Sequence, residues 1–210
     1  MNPSSQTIKV LIADDHAIVR MGLASLLGTQ RDIEVVGEAE DGESAVSKTV
    51  ELNPNIVIMD LMMPKKDGVV ATKEIHELLP DVKILILTSY GTSDGIAHAL
   101  AAGASGALMK STEFSEFVAA LRKVMGGERV VAPEIARQLA EDPPVPKLTP
   151  RQTEILLSIT RGLTNSDIAK QFGIREDSVK EHTNTIFAKL GASNRSEAVA
   201  IALRKHLLKI

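Results

Sequence analysis

Residues 8–16 of the chain read IKVLIADDH, a run of branched apolar side chains that ends in two aspartates and a histidine. Residues 55–60 have a similar form, NIVIMD, and end in a third aspartate. Further apolar runs lie at residues 33–39, 82–88 and 105–110. Runs that are nearly continuous in Val, Ile and Leu are typical of parallel strands buried on both faces.

Segments with apolar residues at helical spacing separate these runs, at residues 16–28, 43–52, 67–79, 94–102 and 113–125. Five successive strand–helix repeats predict an α/β fold with a doubly wound, parallel, five-stranded sheet. In the strand order 2-1-3-4-5, the first and third strands are neighbours, and functional groups gather where the strands end.

A proline-rich stretch at residues 140–150, AEDPPVPKLTP, interrupts the alternation. Prolines cannot lie inside a helix, and they favour an extended connector. Thr149 and Gln152 fit the cap and third position of a following helix, with Pro150 in its first turn. From there on the apolar spacing is helical only, over about 149–161, 165–172, 176–190 and 194–207. We expect a first domain at 1–127, a linker with a helical piece at 128–145, and an all-α four-helix domain at 146–210.

The composition separates the two halves of the chain. Of its 210 residues, 44% are apolar and 24% are charged, as in ordinary globular proteins. Residues 147–210 carry 11 basic and 6 acidic side chains, whereas the preceding residues carry 13 basic and 21 acidic ones. A basic half next to an acidic one suggests separate tasks, the second on nucleic acid.

The sequence argues against several classes of protein. The absence of cysteine excludes disulfides, thiolate metal sites and cysteine nucleophiles. The start, MNPSSQTIKV, is unlike a secretory signal, and no apolar run approaches the ~18 residues that span a bilayer. We therefore expect a cytoplasmic protein that does not bind a membrane.

Five polar residues are predicted to meet at one edge of the sheet. Asp14 and Asp15 follow the first strand, and Asp60 ends the third. Thr88 and Lys110 end the fourth and fifth strands. Three solvated loop aspartates are one interpretation of the acids. The other is a site for a hard cation, because clustered carboxylates repel one another unless a metal or a proton neutralises them. The added hydroxyl and ammonium favour phosphoryl transfer to Asp60.

These residues also carry a family resemblance. The pattern LIADDH…VIMDLMMPKKDG…ILTS…GALMK resembles the receiver domain of bacterial two-component response regulators, which has a flavodoxin-like fold. The resemblance implies that Asp60 is the phosphoacceptor and that Thr88 and Lys110 bind the phosphoryl group. It also implies a Mg²⁺ cofactor whose ligands are oxygen atoms of Asp14 (through water), Asp15, Asp60 and Met62 (the backbone carbonyl).

One position departs from the family. Receivers usually have an aromatic switch residue three positions before the lysine, and Ala107 stands there in this chain. Tyr90, two residues after Thr88, is the only tyrosine. We therefore assign Tyr90 and Ala107 to the switch region, with two alternatives: Tyr90 supplies the moving ring, or Thr88 moves its loop without an aromatic partner.

The basic half contains a helix-turn-helix pattern. Residues 168–186 read IAKQFGIREDSVKEHTNTI, in which Ala169 precedes Gly173 by four positions. Alanine lets two helices approach closely, and glycine permits a tight turn between them. The wider span, with LTPRQTEIL, GLTNSDIA, SVKEH and KLGASNRSEA, resembles the LuxR-type DNA-binding domain of NarL/FixJ-type response regulators.

This resemblance implies a recognition helix at about 176–190 that lies in the major groove. The resemblance places Lys180 and Asn184 at base edges, with Glu181 nearby. Lysine can donate to guanine, asparagine can read adenine, and glutamate can accept from cytosine. The expected phosphate contacts are Arg175, Thr183, Lys189 and Arg195. Where Arg175 stands, the family often has a Ser or Thr helix cap.

The implied function is that of a transcription regulator rather than an enzyme. A sensor histidine kinase would phosphorylate Asp60, and the phosphorylated homodimer would bind double-stranded promoter DNA. Two other functions remain open: a haloacid-dehalogenase-type phosphatase, which needs an Asp-x-Asp pair after the first strand, and a regulator that no longer uses phosphate.

Overall fold

The computed structural model describes residues 7–89, 93–146, 148–205 and 207–208. Among these residues, no helix is both long and apolar enough to cross a bilayer. The strands are β1 (Ile8–Ala13), β2 (Ile33–Ala39), β3 (Ile56–Met59), β4 (Lys83–Thr88), β5 (Gly106–Met109) and β6 (Val130–Val131). The helices are α1 (Ala17–Leu27), α2 (Gly42–Leu52), α3 (Gly68–Leu78), α4 (Ser93–Ala101), α5 (Phe114–Met125), α6 (Pro133–Glu141), α7 (Pro150–Thr160), α8 (Asn165–Phe172), α9 (Glu176–Leu190) and α10 (Arg195–Arg204).

The strands form one parallel sheet in the order β2-β1-β3-β4-β5-β6. The α/β class and the neighbouring positions of β1 and β3 confirm the prediction from the sequence. The register aligns Ala13 with Met59 and Thr88 with Met109. The residues that follow these strands therefore lie along the same edge of the sheet.

The predicted number of strands is wrong, because the sheet has six and not five. The sixth strand, β6, pairs with β5 through Gly106 and Ala107. Two residues are too few to show a strand period, so this strand left no clear pattern in the sequence.

The segment expected as a linker at residues 128–145 belongs, as far as Pro143, to the first compact unit, Met1–Pro143. Strand β6 extends the sheet there, and α6 buries Ile135 in the same core. Ser93, at the start of α4, donates a hydrogen bond of 2.6 Å to Asp142, which caps the end of α6. Burial of Ile135 removes apolar surface from water, which favours packing of this segment on the first unit.

The second unit, Pro144–Ile210, has a separate core. Its buried apolar side chains come from all four helices, among them Ile155, Ile168, Val179 and Ala198. Thr149 and Gln152 form the predicted capping box at the start of α7. Between α8 and α9, Gly173 adopts a left-handed φ of 63°, which a glycine accommodates without strain. The all-α prediction for this half is confirmed.

A buried carboxylate connects α2 of the first unit to the loop after β3. Asp41 caps α2 by accepting a hydrogen bond from the backbone N–H of Ser44 at 2.7 Å. Its other oxygen lies 2.6 Å from the ammonium of Lys65. The hydrogen bond from Lys65, together with the one from Ser44, lowers the pKa of Asp41 to about 2. Asp41 therefore stabilises the fold in its ionised form.

This pKa predicts the pH dependence of the Asp41→Asn variant. The folded pKa of about 2 lies below the ordinary value of 3.8, so the stabilisation is complete above 3.8 and is lost as the pH falls toward 2. We expect Asn at position 41 to retain the helix cap. The variant should have a lower free energy of unfolding than wild type at pH 7, and the two values should approach each other near pH 2. Urea denaturation across this range measures the difference.

Asp41→Ala serves as the comparison, because it removes the cap as well as the charge. Loss of the cap should lower the free energy of unfolding by about a further 1 kcal/mol relative to Asn. A difference between Asn and wild type that is equally large at pH 2 and pH 7 would contradict the role of the charge.

Candidate functional site

Two buried carboxylates lie side by side where β1 and β3 end. The backbone N–H of Asp60 donates to the carbonyl of Ala13 at 2.8 Å, which brings Asp60 next to Asp14. Asp14 is 2% exposed and Asp60 is 4% exposed. Buried charges of the same sign repel each other, so this arrangement is stabilised by a nearby cation or by protonation of one carboxylate.

The ammonium of Lys110 supplies positive charge to both carboxylates. Its Nζ lies 2.6 Å from Oδ2 of Asp14 and 2.8 Å from Oδ2 of Asp60. The backbone N–H of Lys110 donates to the carbonyl of Thr88 at 2.8 Å, and Thr88 is buried. The structure therefore brings together four of the predicted site residues at the carboxyl edge of the sheet.

The pKa values of Asp60 and Lys110 reflect their burial and their mutual contact. Burial raises the pKa of Asp60 above its ordinary value, more than the hydrogen bond from Lys110 lowers it. Burial lowers the pKa of Lys110, but its hydrogen bonds to Asp14 and Asp60 outweigh that effect, and the pKa is raised. Lys110 is therefore charged at neutral pH, and ionised Asp60 is less stable in the folded chain than in the unfolded one.

Asp15 completes the acidic edge and is the more accessible carboxylate. Its side chain is 34% exposed, and its Oδ1 lies 2.7 Å from Nδ1 of His16. His16 directly precedes α1 as its N-cap residue, and its backbone N–H donates to Asp14 at 2.9 Å. Arg20 holds the same turn by donating to the carbonyl oxygen of Asp14 at 2.6 Å.

The donor atoms fit a hard divalent cation. One ligand atom from each of Asp14, Asp15, His16 and Asp60 lies within 4.8 Å of the others. Three of the four are carboxylates, and oxygen ligands are those that Mg²⁺ and Ca²⁺ prefer. These four residues therefore form a cluster, within the part of the chain that the structure describes, that could hold a metal ion.

The loop after Asp60 is held close to the acidic edge. The backbone N–H of Met62 is hydrogen-bonded to the carboxylate of Asp60, while the side chain of Met62 is 69% exposed. Gly68 donates its N–H to the carbonyl of Leu61 at 2.9 Å. A Cβ at Gly68 would lie 2.0 Å from the carbonyl oxygen of Asp60, so only glycine fits there.

The proposed switch residues are only partly described. Ala107 is buried in β5, where it pairs with Ile86 and Val131. Tyr90 lies outside the described residues. The alternatives for an aromatic switch therefore stay predictions.

One face of α9 presents the predicted base-contacting residues to solvent. Lys180, Glu181 and Asn184 are all exposed, and helical spacing places them on adjacent turns of the same side. The ammonium of Lys180 lies 3.5 Å from Asp177 and 4.0 Å from Glu176. These exposed ion pairs are weak and leave Lys180 available to a more strongly charged partner.

The expected phosphate contacts differ in their surroundings. Arg175 is 86% exposed and pairs with Asp177 at 3.8 Å instead of capping α9. Lys189 donates to Oε1 of Gln152 at 2.9 Å. Arg195 donates to the carbonyls of Ile159 and Leu163. Arg175 is thus the most accessible of the three cations.

The expectation for Thr183 is corrected by the structure. Its side chain is 7% exposed, and its hydroxyl donates to the carbonyl of Val179 at 2.7 Å. It therefore packs within the domain and cannot reach a DNA phosphate. The period of α9 turns this position toward the core, next to the half-buried His182.

Comparisons with known proteins agree with both halves of the chain. Residues 10–122 match the model of the response regulator receiver domain, and residues 146–202 match that of the LuxR family of bacterial regulatory proteins. The response regulator protein VraR of Staphylococcus aureus is 40% identical over 208 residues, which cover 97% of this chain and all of VraR.

Two solved structures extend the comparison. The response regulator ChrA of a heme-sensing two-component system is 36% identical, with a TM-score of 0.58 over 96% of this chain and 99% of ChrA. RcsB of Salmonella enterica serovar Typhimurium, bound to a promoter in the presence of the phosphomimetic BeF₃⁻, is 26% identical. Its TM-score is 0.67 over 93% of this chain and 98% of RcsB.

These findings define the class as a receiver domain joined to a helix-turn-helix DNA-binding domain. The chain belongs to the response regulators with a LuxR-type DNA-binding domain, and it is a transcription regulator of this family. The alternative of a haloacid-dehalogenase-type phosphatase is thereby set aside.

Several contacts at the acidic edge and in the loop after Asp60 were not predicted from the sequence. Arg20 gave no signal beyond one charge on an apolar helix, and its bond to the Asp14 carbonyl follows only from the fold. His16 was interpreted as a helix start, although its place directly after the acidic pair indicated contact with them. The ion pair of Asp41 with Lys65 joins residues that are 24 positions apart, so no local pattern predicts it.

The raised pKa of Asp60 leads to a prediction about stability. Asp60→Asn removes a charge that is less stable in the folded chain, so without divalent cations it should raise the free energy of unfolding at pH 7. Mg²⁺ should stabilise wild type more than the variant, because wild type gains about 2.7 kcal/mol at 100 times its dissociation constant and the variant gains less. Urea denaturation with EDTA or Mg²⁺ measures both.

An equal gain from Mg²⁺ in the two proteins would contradict a role for Asp60 in the metal site. Asp81→Asn, at an exposed position, is the control for the loss of one negative charge.

Proposed function

We propose that Asp60 is the phosphoacceptor of this response regulator and that a sensor histidine kinase is its phosphodonor. The observation that carries the proposal is the contact of Lys110 with both Asp14 and Asp60 at the buried edge of the sheet. A carboxylate that is buried beside a fixed ammonium is prepared for an incoming phosphoryl group, because the cation compensates the negative charge that arrives.

The acidic edge offers a Mg²⁺ site with divided roles. Asp15, Asp60 and the backbone carbonyl of Met62 are the proposed direct ligands. Asp14 acts through water, since its two oxygens already accept bonds from Lys110 and from the backbone of His16. Bound Mg²⁺ would supply charge neutralisation at the phosphoryl oxygens.

The protein residues carry out the transfer itself. A carboxylate oxygen of Asp60 attacks phosphorus, and the bond from phosphorus to the imidazole nitrogen of the kinase breaks. Lys110 then pairs with one phosphoryl oxygen, and the hydroxyl of Thr88 donates to another. Both residues already lie at the same edge of the sheet.

The output is the binding of promoter DNA by α9. Lys180, Glu181 and Asn184 are exposed on one face and are the proposed base readers. Arg175 is the proposed phosphate contact, whereas Lys189 and Arg195 would have to leave partners within the domain. Phosphorylation would favour a homodimer that binds two DNA half-sites. The protein would act in the cytoplasm, where the bacterial chromosome lies.

The phosphoacceptor is tested with a small phosphodonor such as acetyl phosphate and Mg²⁺. Wild type should gain one acid-labile phosphoryl group, detected by intact-mass spectrometry. Asp60→Asn should gain none, because it lacks the nucleophile, and EDTA should suppress labelling of wild type. Asp81→Asn should be labelled like wild type. Labelling of Asp60→Asn to the wild-type level would refute the assignment.

DNA recognition is tested on duplexes selected by the full chain from a random pool. Lys180→Ala should weaken binding to a selected duplex by about 1–3 kcal/mol, and binding to random duplex by less, because a base contact is lost. Arg175→Ala should weaken both about equally and reduce the salt dependence, since a phosphate contact releases counterions. Affinities are measured by fluorescence anisotropy at several salt concentrations.

Arg204→Ala removes a positive charge from an exposed site at the end of α10 and is the matched control. If Lys180→Ala loses the same affinity on selected and random duplex, Lys180 is a phosphate contact and the assignment to a base is wrong.

A further inference from the structure

The loop after the proposed phosphoacceptor contains an unusual backbone conformation. Lys65 has a φ of 60°, and among the described residues Asn53 is the only other non-glycine residue with a positive φ. Asparagine tolerates the left-handed region, but a long side chain with a Cβ disfavours it. Such a conformation persists only where the surrounding structure holds it.

The surroundings of Lys65 provide that restraint. Its ammonium lies 2.6 Å from Oδ2 of Asp41, which is 2% exposed at the start of α2. The carbonyl of the next residue, Lys66, is also bound to the start of α2, because it accepts a hydrogen bond from the backbone N–H of Gly42 at 3.1 Å. A Cβ at Gly42 would lie 2.2 Å from that carbonyl oxygen. Lys66 also forms an ion pair with Glu74 on α3.

The other end of the loop is fixed at the acidic edge. Gly68 binds Leu61 through the backbone, and its lack of a Cβ lets the chain pass close to Asp60. Met62 lies between these two attachments. Met62 is 69% exposed and its side chain adds little packing, so its peptide is held by the bond of its N–H to Asp60 and by the loop backbone.

We propose that Asp41 and Lys65 are positioning residues for the metal site, because their ion pair holds the loop that contains Met62, whose carbonyl is a proposed ligand. The inference rests on the proposed function, in which this carbonyl is a ligand. Groups that orient metal ligands commonly change metal affinity when they are removed, although they do not touch the metal.

Electrostatics and positioning predict opposite results for Lys65→Met. Removing a positive charge three residues from a ligand makes the local potential more negative, which by itself tightens the binding of a cation. Loss of the restraint on the loop weakens binding instead. The direction of the change therefore separates positioning from a long-range effect of charge.

The experiment measures Mg²⁺ binding to the unphosphorylated full chain by isothermal titration calorimetry. We expect Lys65→Met and Asp41→Asn each to weaken Mg²⁺ affinity by about 10-fold. The double variant should be no weaker than either single one, because both remove the same interaction. Lys65→Arg, which retains the charge and can still reach Asp41, should bind nearly as wild type does. Lys73→Met, on the exposed face of α3, is the matched control for loss of a lysine.

Circular dichroism and urea denaturation without metal show whether each variant is folded at the temperature of the titration. A purely structural role would lower the free energy of unfolding but leave the affinity of the folded protein unchanged. Affinity of Lys65→Met equal to or tighter than that of wild type overturns the inference. If wild type binds no Mg²⁺, or Asp60→Asn binds it equally well, the proposed metal site itself fails.

Discussion

Two buried carboxylates lie next to each other at the end of this sheet, and the ammonium of Lys110 makes that arrangement possible. Parallel strands bring Asp14 and Asp60 together because β1 and β3 are neighbours, and β5 brings Lys110 to the same edge. Without a cation the two charges would repel each other in a poorly solvated place. The fold therefore places an ammonium group within hydrogen-bond distance of two buried carboxylates.

The architecture of the first unit was largely predictable, because continuous apolar runs are typical of parallel strands that are buried on both faces. The polar residues at the strand ends followed from the same pattern, and Asp14, Asp60, Thr88 and Lys110 do lie at one edge. Strand β6 was not predicted, since Val130–Val131 is too short to show a period, and its pairing with β5 depends on tertiary packing.

Residues whose roles depend on contacts distant in sequence were the hardest to predict. Arg20 binds the carbonyl of Asp14, and Lys65 pairs with Asp41, through contacts that no spacing rule indicates. In the second unit, sequence position assigned Thr183 to DNA, but the period of α9 turns it inward, where its hydroxyl binds Val179. Lys180, Glu181 and Asn184, by contrast, are exposed as expected, because the same period turns them outward.

The central proposal is that phosphorylation of Asp60 controls DNA binding by α9. The most direct measurement is the affinity of the full chain for a selected duplex, with and without acetyl phosphate and Mg²⁺. The phosphodonor should tighten DNA binding by wild type and leave the affinity of Asp60→Asn unchanged. A wild type that does not respond, or an Asp60→Asn variant that responds equally, would contradict it.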